Sequence, residues 1–257
     1  MFGWLSKRKE QTRATPAAKP TTGERRVYAI GDIHGRLDLL QQLHGLIAAD
    51  VAAAPPPVPP LLVYLGDYVD RGADSRGVVD LLLAPPPIAA ERVCLAGNHE
   101  RTLQAFLADS TIGPDWFSFG GLETVLSYGT PVERKPSSAA AFEATREAFA
   151  AVFPAAHLAF LADLPMTHTV GDYVFVHAGL RPGRALAQQT EQDMLWIRDE
   201  FLDSNADFGR IVVHGHSPVE QVDVRRNRIN VDTGAYSSNR LSCLVLEGDS
   251  RAMLQTA

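Results

Sequence analysis

Cysteine is almost absent, with Cys94 and Cys243 the only two among 257 residues. Both fall inside apolar runs that read as strands, so they serve as small buried hydrophobes, and a disulfide framework is not expected. Neither has an arginine six residues later, which removes a cysteine-based phosphate loop, and no Gly-Lys pair is present to form a P-loop. Long hydrophobic runs are missing as well. The opening Met1-Phe2-Gly3-Trp4-Leu5 turns basic at Lys7-Arg8-Lys9, an apolar stretch too short for a signal-peptide core or a membrane span. A reducing, cytoplasmic setting without stable membrane insertion is therefore expected. Positive charge is also scarce: 24 Lys and Arg against 30 Asp and Glu give a formal net charge of -6. That balance argues against nucleic acid as a partner, because such binders normally show a basic face.

What is present is an apolar share of 46% with 21% charged residues, enough to bury one substantial core. Residues 1–24 are rich in Lys, Arg, Thr, Ala and Pro without periodicity, the composition of a disordered basic tail. Residues 25–257 read as one catalytic domain in which strand-like and helix-like runs alternate. The apparent strands are 27–30, 61–65, 92–96, 173–176, 211–213, 229–231 and 242–246; apparent helices cover 37–49, 77–83, 101–108, 140–151 and 157–161. Such alternation implies layered α/β architecture, with part of the β structure antiparallel where the last strands follow one another through turns alone. Residues 111–156 hold no candidate ligand but carry Trp116, Phe117, Phe119 and a helical stretch, which reads as a helical cap beside a cleft. The proline runs 55–60 and 85–87 precede strands and read as stiff extended spacers.

Five motifs run down the chain: Gly31-Asp32-Ile33-His34-Gly35, Gly66-Asp67-Tyr68-Val69-Asp70-Arg71-Gly72, Gly97-Asn98-His99-Glu100, His177-Ala178-Gly179 and His214-Gly215-His216. Each follows an apolar run, so all five belong where buried strands end. The carboxyl ends of parallel strands face a common crevice, where ligands bind. Five of the eight histidines lie in these motifs, whereas His44, His157 and His168 have no such context. Asp32 and His34 stand two apart at a strand end and can converge on one ion. Asp67 offers two carboxylate oxygens and is the natural bridge to a second ion completed by Asn98, His177 and His216. Hard oxygens with imidazole nitrogens suit Mn, Fe or Zn better than Ca or Cu(I).

Together these motifs resemble the calcineurin-like metallophosphoesterase superfamily, and within it the phosphoprotein phosphatase branch with its compact bacterial and phage serine/threonine phosphatases. The likeness runs from about residue 27 to residue 247. It implies a layered metallophosphoesterase fold with mixed β-sheets flanked by helices. It also implies two divalent metal ions, manganese ahead of iron or zinc, with Asp32, His34 and Asp67 on the first and Asp67, Asn98, His177 and His216 on the second. His99 matches the family's acid, Asp70 its orienting carboxylate, and Arg71 a phosphate-binding arginine; Arg198 is the best match for the second. His214 departs from the ligand pattern, and Pro218 stands where many superfamily members carry a further metal-binding histidine.

The implied activity is a dinuclear-metal phosphomonoesterase acting on phosphoserine or phosphothreonine, with phosphotyrosine or a small phosphoester also accommodated, and with a metal-bridging hydroxide as nucleophile. The arginines would clamp the non-bridging oxygens, and His99 would protonate the leaving oxygen. The rival is dinucleoside polyphosphate hydrolysis of the symmetrical diadenosine tetraphosphatase type. Relatives of that type commonly lack the aspartate matching Asp70 and have Asp where this chain has Glu100, so the phosphatase reading leads.

Overall fold

Most parallel strands here are apolar on both faces, and a strand with two apolar faces must be covered from both sides. The computed structural model describes residues 19–132 and 136–257. Among them are strands β1 (Val27–Ile30), β2 (Leu61–Tyr64), β3 (Glu91–Cys94), β4 (Thr167–Val170), β5 (Tyr173–Val176), β6 (Ile211–His214), β7 (Asp223–Val224), β8 (Arg228–Asn230), β9 (Ser242–Glu247) and β10 (Ser250–Gln255). The helices are α1 (Leu37–Ala53), α2 (Ser75–Leu83), α3 (Asn98–Ala108), α4 (Gly113–Ser118), α5 (Gly121–Ser127), α6 (Ala139–Val152), α7 (Ala155–Ala162), α8 (Glu191–Trp196), α9 (Asp199–Leu202) and α10 (Ala235–Ser238).

The strands form two five-stranded mixed sheets, in the orders β10-β9-β1-β2-β3 and β4-β5-β6-β8-β7. Each sheet has three adjacent parallel strands: β1, β2 and β3 fill one side of the first sheet out to its edge, and β5, β6 and β8 form the centre of the second. The outer partners run antiparallel. Side-chain alternation then sorts the core into layers. Val27, Ala29, Leu61 and Val63 of the first sheet meet Tyr173, Phe175, Val213 and Ile229 of the second. The opposite face of the first sheet, with Tyr28, Ile30, Leu62 and Tyr64, packs under α1 to α7. Val174, Val176 and Val212 pack against Leu180, Ile197 and Phe201 on the far side of the second sheet. The result is helix, sheet, sheet, helix, with both sets of parallel strands delivering their ends to one edge.

Of the expected basic tail, residues 1–18 lie outside the described residues. Residues 19–24 depart from that expectation. The Thr22 N–H donates to Gly248 O (3.0 Å), and Thr21 O accepts from the Asp172 N–H (2.9 Å), so this stretch links the loops of the two sheets. The segment 111–156 contains the helices α4, α5 and α6, and its Trp116, Phe142 and Phe149 belong to the core under the first sheet. No helix among the described residues is long and apolar enough to cross a membrane.

Candidate metal centre

The parallel strands deliver the motif residues from both sheets to one place. Asp32 and His34 follow β1, Asp67 follows β2, and Asn98 opens α3 after β3; His177 follows β5 and His216 follows β6. Backbone hydrogen bonds lock these loops together. Asp67 O accepts from the N–H groups of Ile33 (3.0 Å) and His34 (2.8 Å), and His177 O accepts from the Gly215 N–H (2.8 Å). Gly97 has no room for a side chain, because a Cβ would stand 2.3 Å from both the nitrogen and Oδ1 of Asp67. The glycine in this motif thus lets two strand ends touch.

Strain is concentrated here. Of the six non-glycine residues with positive φ among the described residues, five are His34, Asp67, Asp70, Arg71 and His216. Each such conformation costs about 1–3 kcal/mol and persists only where the surroundings over-determine it, as happens at functional sites.

The donors form two groups that share one carboxylate. His34, Asp67 and His99 make the first, and Asp67, His177 and His216 the second. His34 Nδ1 is 2.9 Å from Val69 O and His177 Nδ1 is 2.9 Å from Leu65 O, so each ring donates there and leaves its Nε2 lone pair bare. The bare His34 Nε2 stands 3.5 Å from Asp67 Oδ2. That of His177 lies 2.9 Å from Asn98 Oδ1, 3.2 Å from His216 Nδ1 and 3.4 Å from Asp67 Oδ1. Buried acceptors facing acceptors call for a cation between them. Burial drives the pKa of His34 down to about 3 and that of His216 down to about 2, keeping both rings neutral as metal ligands require. The donor set therefore fits divalent metal on its chemistry. Asp32, expected from the motifs as a ligand, belongs to neither group: its Oδ2 accepts from the His216 N–H (2.9 Å), while its buried Oδ1 has no hydrogen-bond partner among the described residues.

Beside the donors sits a carboxylate–imidazole pair. His99 Nδ1 donates to Asp70 Oδ2 at 2.6 Å. Burial opposes charge on His99, but the Asp67 carboxylate and the Asp70 hydrogen bond outweigh it and raise the pKa above its ordinary value. Asp70 is itself held by the helical segment: Trp116 Nε1–H donates to its Oδ2 (2.8 Å) and Thr124 Oγ1–H to its Oδ1 (2.6 Å). Glu100 braces the next loop, accepting from the N–H groups of Asp67 (2.9 Å), Tyr68 (2.7 Å) and Gly97 (2.9 Å).

Arg71 and Arg198 line the same cavity of about 200 Å³ as His34, Asp67, Asn98, His99 and His216. Arg71 Nη2 is 3.4 Å from His99 Nε2, and Arg198 Nη1 donates to Ser217 Oγ (3.2 Å). A larger hollow of about 310 Å³, lined by Val174, Arg184 and Phe208, holds none of the motif residues. His214 faces away, its Nδ1 donating to Gly215 O (3.0 Å) and its ring edge-on to Phe201. Four residues escaped the sequence reading: Trp116 and Thr124, which hold Asp70, and Asp232 and Trp196, which line the cavity. Only Asp232 carried a usable signal, since it follows an apparent strand as the motif residues do.

A family model described as calcineurin-like phosphoesterase matches residues 25–245. Serine/threonine-protein phosphatase 2 of Escherichia coli (strain K12) is 28% identical over 228 residues, covering 85% of this chain and 91% of the relative. The asymmetrical bis(5'-nucleosyl)-tetraphosphatase PrpE of Bacillus thuringiensis (strain Al Hakam) is 25% identical over 233 residues, covering 84% and 88%. Among solved structures, a putative diadenosine tetraphosphatase superposes with a TM-score of 0.62 at 20% identity, covering 93% of this chain and 99% of that one, a likeness of fold.

Proposed function

Because the chain belongs to the calcineurin-like phosphoesterase family, a family of metal-dependent phosphoric ester hydrolases, we propose that it is a dinuclear phosphomonoesterase acting on phosphoserine or phosphothreonine in proteins. Asp32, His34 and Asp67 would hold one ion and Asp67, Asn98, His177 and His216 the other; this mixture of oxygens and imidazoles suits manganese, iron or zinc, and the family resemblance puts manganese first. Bound there, two divalent ions would lower the pKa of water and neutralise phosphate oxygens. Arg71 and Arg198, from opposite elements of the cavity, bind the non-bridging oxygens and orient the phosphorus.

The observation that carries the reading is the His99–Asp70 pair, 2.6 Å apart and buried. A serine or threonine alkoxide is a strongly basic leaving group, so a proton delivered from His99 accelerates its departure. A nucleotide phosphate leaves readily without one, since its last ionisation lies near about pH 6. Asp70 holds the imidazole in the tautomer that keeps the proton on Nδ1 and favours its charged state.

A second reading, hydrolysis of a dinucleoside tetraphosphate, is favoured by the Bacillus thuringiensis relative, whose name records that reaction and which matches over most of its length. The deciding experiment compares kcat/KM for phosphoserine, phosphothreonine and phosphotyrosine peptides with that for diadenosine tetraphosphate, after chelation and readdition of Mn²⁺. Higher kcat/KM on a phosphoserine or phosphothreonine peptide is the expected result; the reverse order in favour of the dinucleotide transfers the case to the second reading.

A further inference from the structure

Three parallel strands in each sheet end at the cavity, and the groups described so far come from five of the six ends. The sixth is β8. Asp232 stands two residues past it, just as Asp32 stands two past β1 and His216 two past β6. Its side chain is 2% exposed and lines the cavity, and a Cβ at Gly31, the residue before Asp32, would stand 3.4 Å from the Asp232 Cα. Two buried carboxylates so near one another repel unless positive charge lies beside them. Among the described residues Asp32 Oδ1 has no hydrogen-bond partner and neither acid has a salt-bridge partner. Pro218, whose side chain offers no donor atom to a metal, also lines the cavity, and the neighbouring Val219 N–H donates to the Asp232 carbonyl at 3.0 Å.

We infer that Asp232 is a further oxygen donor for the ion held by Asp32, His34 and Asp67, supplying negative charge on the side where Pro218 supplies none. The inference rests on the metal-centre reading above. Its competitor is a purely local role, because Asp232 Oδ1 also accepts from the Gly234 N–H at 2.8 Å and so shapes the turn before α10. Asparagine can fill that local role equally well, which makes Asp232→Asn the informative variant.

The test is calorimetric titration of Mn²⁺ into the full chain after chelation, together with thermal midpoints of the stripped and Mn²⁺-loaded forms at neutral pH. Two ions should bind the native chain. Asp232→Asn should weaken one of the two by roughly 10–100-fold, the range seen when a supporting group at a metal site is removed. The stripped variant should melt higher than the stripped native chain, since a buried repulsion is gone, while the loaded variant should melt lower. Asp232→Ser also keeps an acceptor for Gly234 and must give the same ordering. Unchanged Mn²⁺ affinity in a folded variant, or an equal loss of midpoint with and without Mn²⁺, overturns the inference and leaves Asp232 a turn residue. A native chain that binds no Mn²⁺ overturns the metal-centre reading itself, and this inference with it.

Discussion

The floor and the rim of the cavity are built on different principles. The floor consists of strand ends whose loops are stitched by backbone hydrogen bonds, such as Ile33 and His34 N–H onto Asp67 O, and whose residues tolerate positive φ. The rim is carried by short helices and the turns beside them: Trp196 ends α8, Arg198 sits between α8 and α9, Phe119 follows α4, and Tyr236 lies on α10. Three rim rings stand edge-on to three histidines of the floor: Phe119 to His99 at 5.3 Å, Tyr236 to His34 at 5.5 Å and Trp196 to His216 at 6.3 Å. Trp196 and Tyr236 remain 38% and 39% exposed, whereas His34, His99 and His216 are buried. A rigid floor suits chemistry, which needs fixed charge; a half-exposed rim suits recognition of whatever the phosphoryl group is attached to. Substitutions in the floor should therefore abolish metal and turnover, and those in the rim should shift binding.

The largest effect is expected at Asp67, which belongs to both donor groups. Asp67→Asn replaces a shared carboxylate by a neutral amide and should lower metal content at both positions, measured by elemental analysis. The loss in kcat should exceed the roughly 10²–10³-fold typical of deleting a single transition-state hydrogen-bond donor. Native metal content and rate in this variant would break the distinction between floor and rim at its centre.

His99→Asn comes next and sharpens the assignment of the acid. On phosphoserine peptides kcat should fall by about 10²–10⁴-fold, the range for general acid catalysis. On p-nitrophenyl phosphate, whose leaving group is weakly basic, the fall should be much smaller. Equal losses with metal content intact would mean that His99 orients phosphate or water rather than donating a proton.

The same division governs what the sequence disclosed. Floor residues sit directly after four-residue strands with the pattern of continuous burial seen in Val27–Ile30 and Tyr173–Val176, so a short apolar run followed by glycine and a ligand was readable. All seven strands read from the sequence are present, within a residue or two at their ends. The elements that went unread are β4, β7 and β10 and the helices α8, α9 and α10, while α4 and α5 were read only as part of the helical stretch over 111–156. Their reasons are physical. β10 reads Ser-Arg-Ala-Met-Leu-Gln and is an exposed outer strand with little core to impose alternation, while helices of four to seven residues are too short to display a hydrophobic period. The rim therefore stayed hidden, and with it Trp116 and Thr124 as holders of Asp70. Motif resemblance supplied His99, Asp70, Arg71 and Arg198, whose roles no local pattern encodes.

Arg198 lies where floor and rim meet. Arg198→Ala should lower kcat/KM on phosphopeptides by about 10–100-fold, from roughly 1.5–3 kcal/mol for a hydrogen bond to a charged group. The loss should be divided between a higher KM and a lower kcat if Arg198 holds phosphate in both ground and transition states. Unchanged constants would return Arg198 to a structural role on Ser217.

The smallest expected effect isolates the rim. The Arg71 guanidinium lies over the Tyr236 ring, 4.5 Å from its centroid. The Arg71 backbone is fixed independently, since its N–H donates to Gly120 O (3.1 Å) and Gly120 packs so closely that a Cβ would stand 2.5 Å from the Arg71 nitrogen. Removing the ring thus frees only the far end of the side chain. A cation–π contact at an exposed site is worth about 0.5–1 kcal/mol, so Tyr236→Ala should weaken competitive inhibition by inorganic phosphate and raise KM by roughly 2–5-fold, with kcat and metal content near native. Tyr236→Phe keeps the aromatic face and should match the native chain in all three. If the alanine variant is unchanged, the ring does not steady Arg71. If the phenylalanine variant shows the same loss as alanine, the hydroxyl rather than the ring face is the contributing group. A fall in metal content in either variant would place Tyr236, through its contact with His34, on the floor side of the comparison.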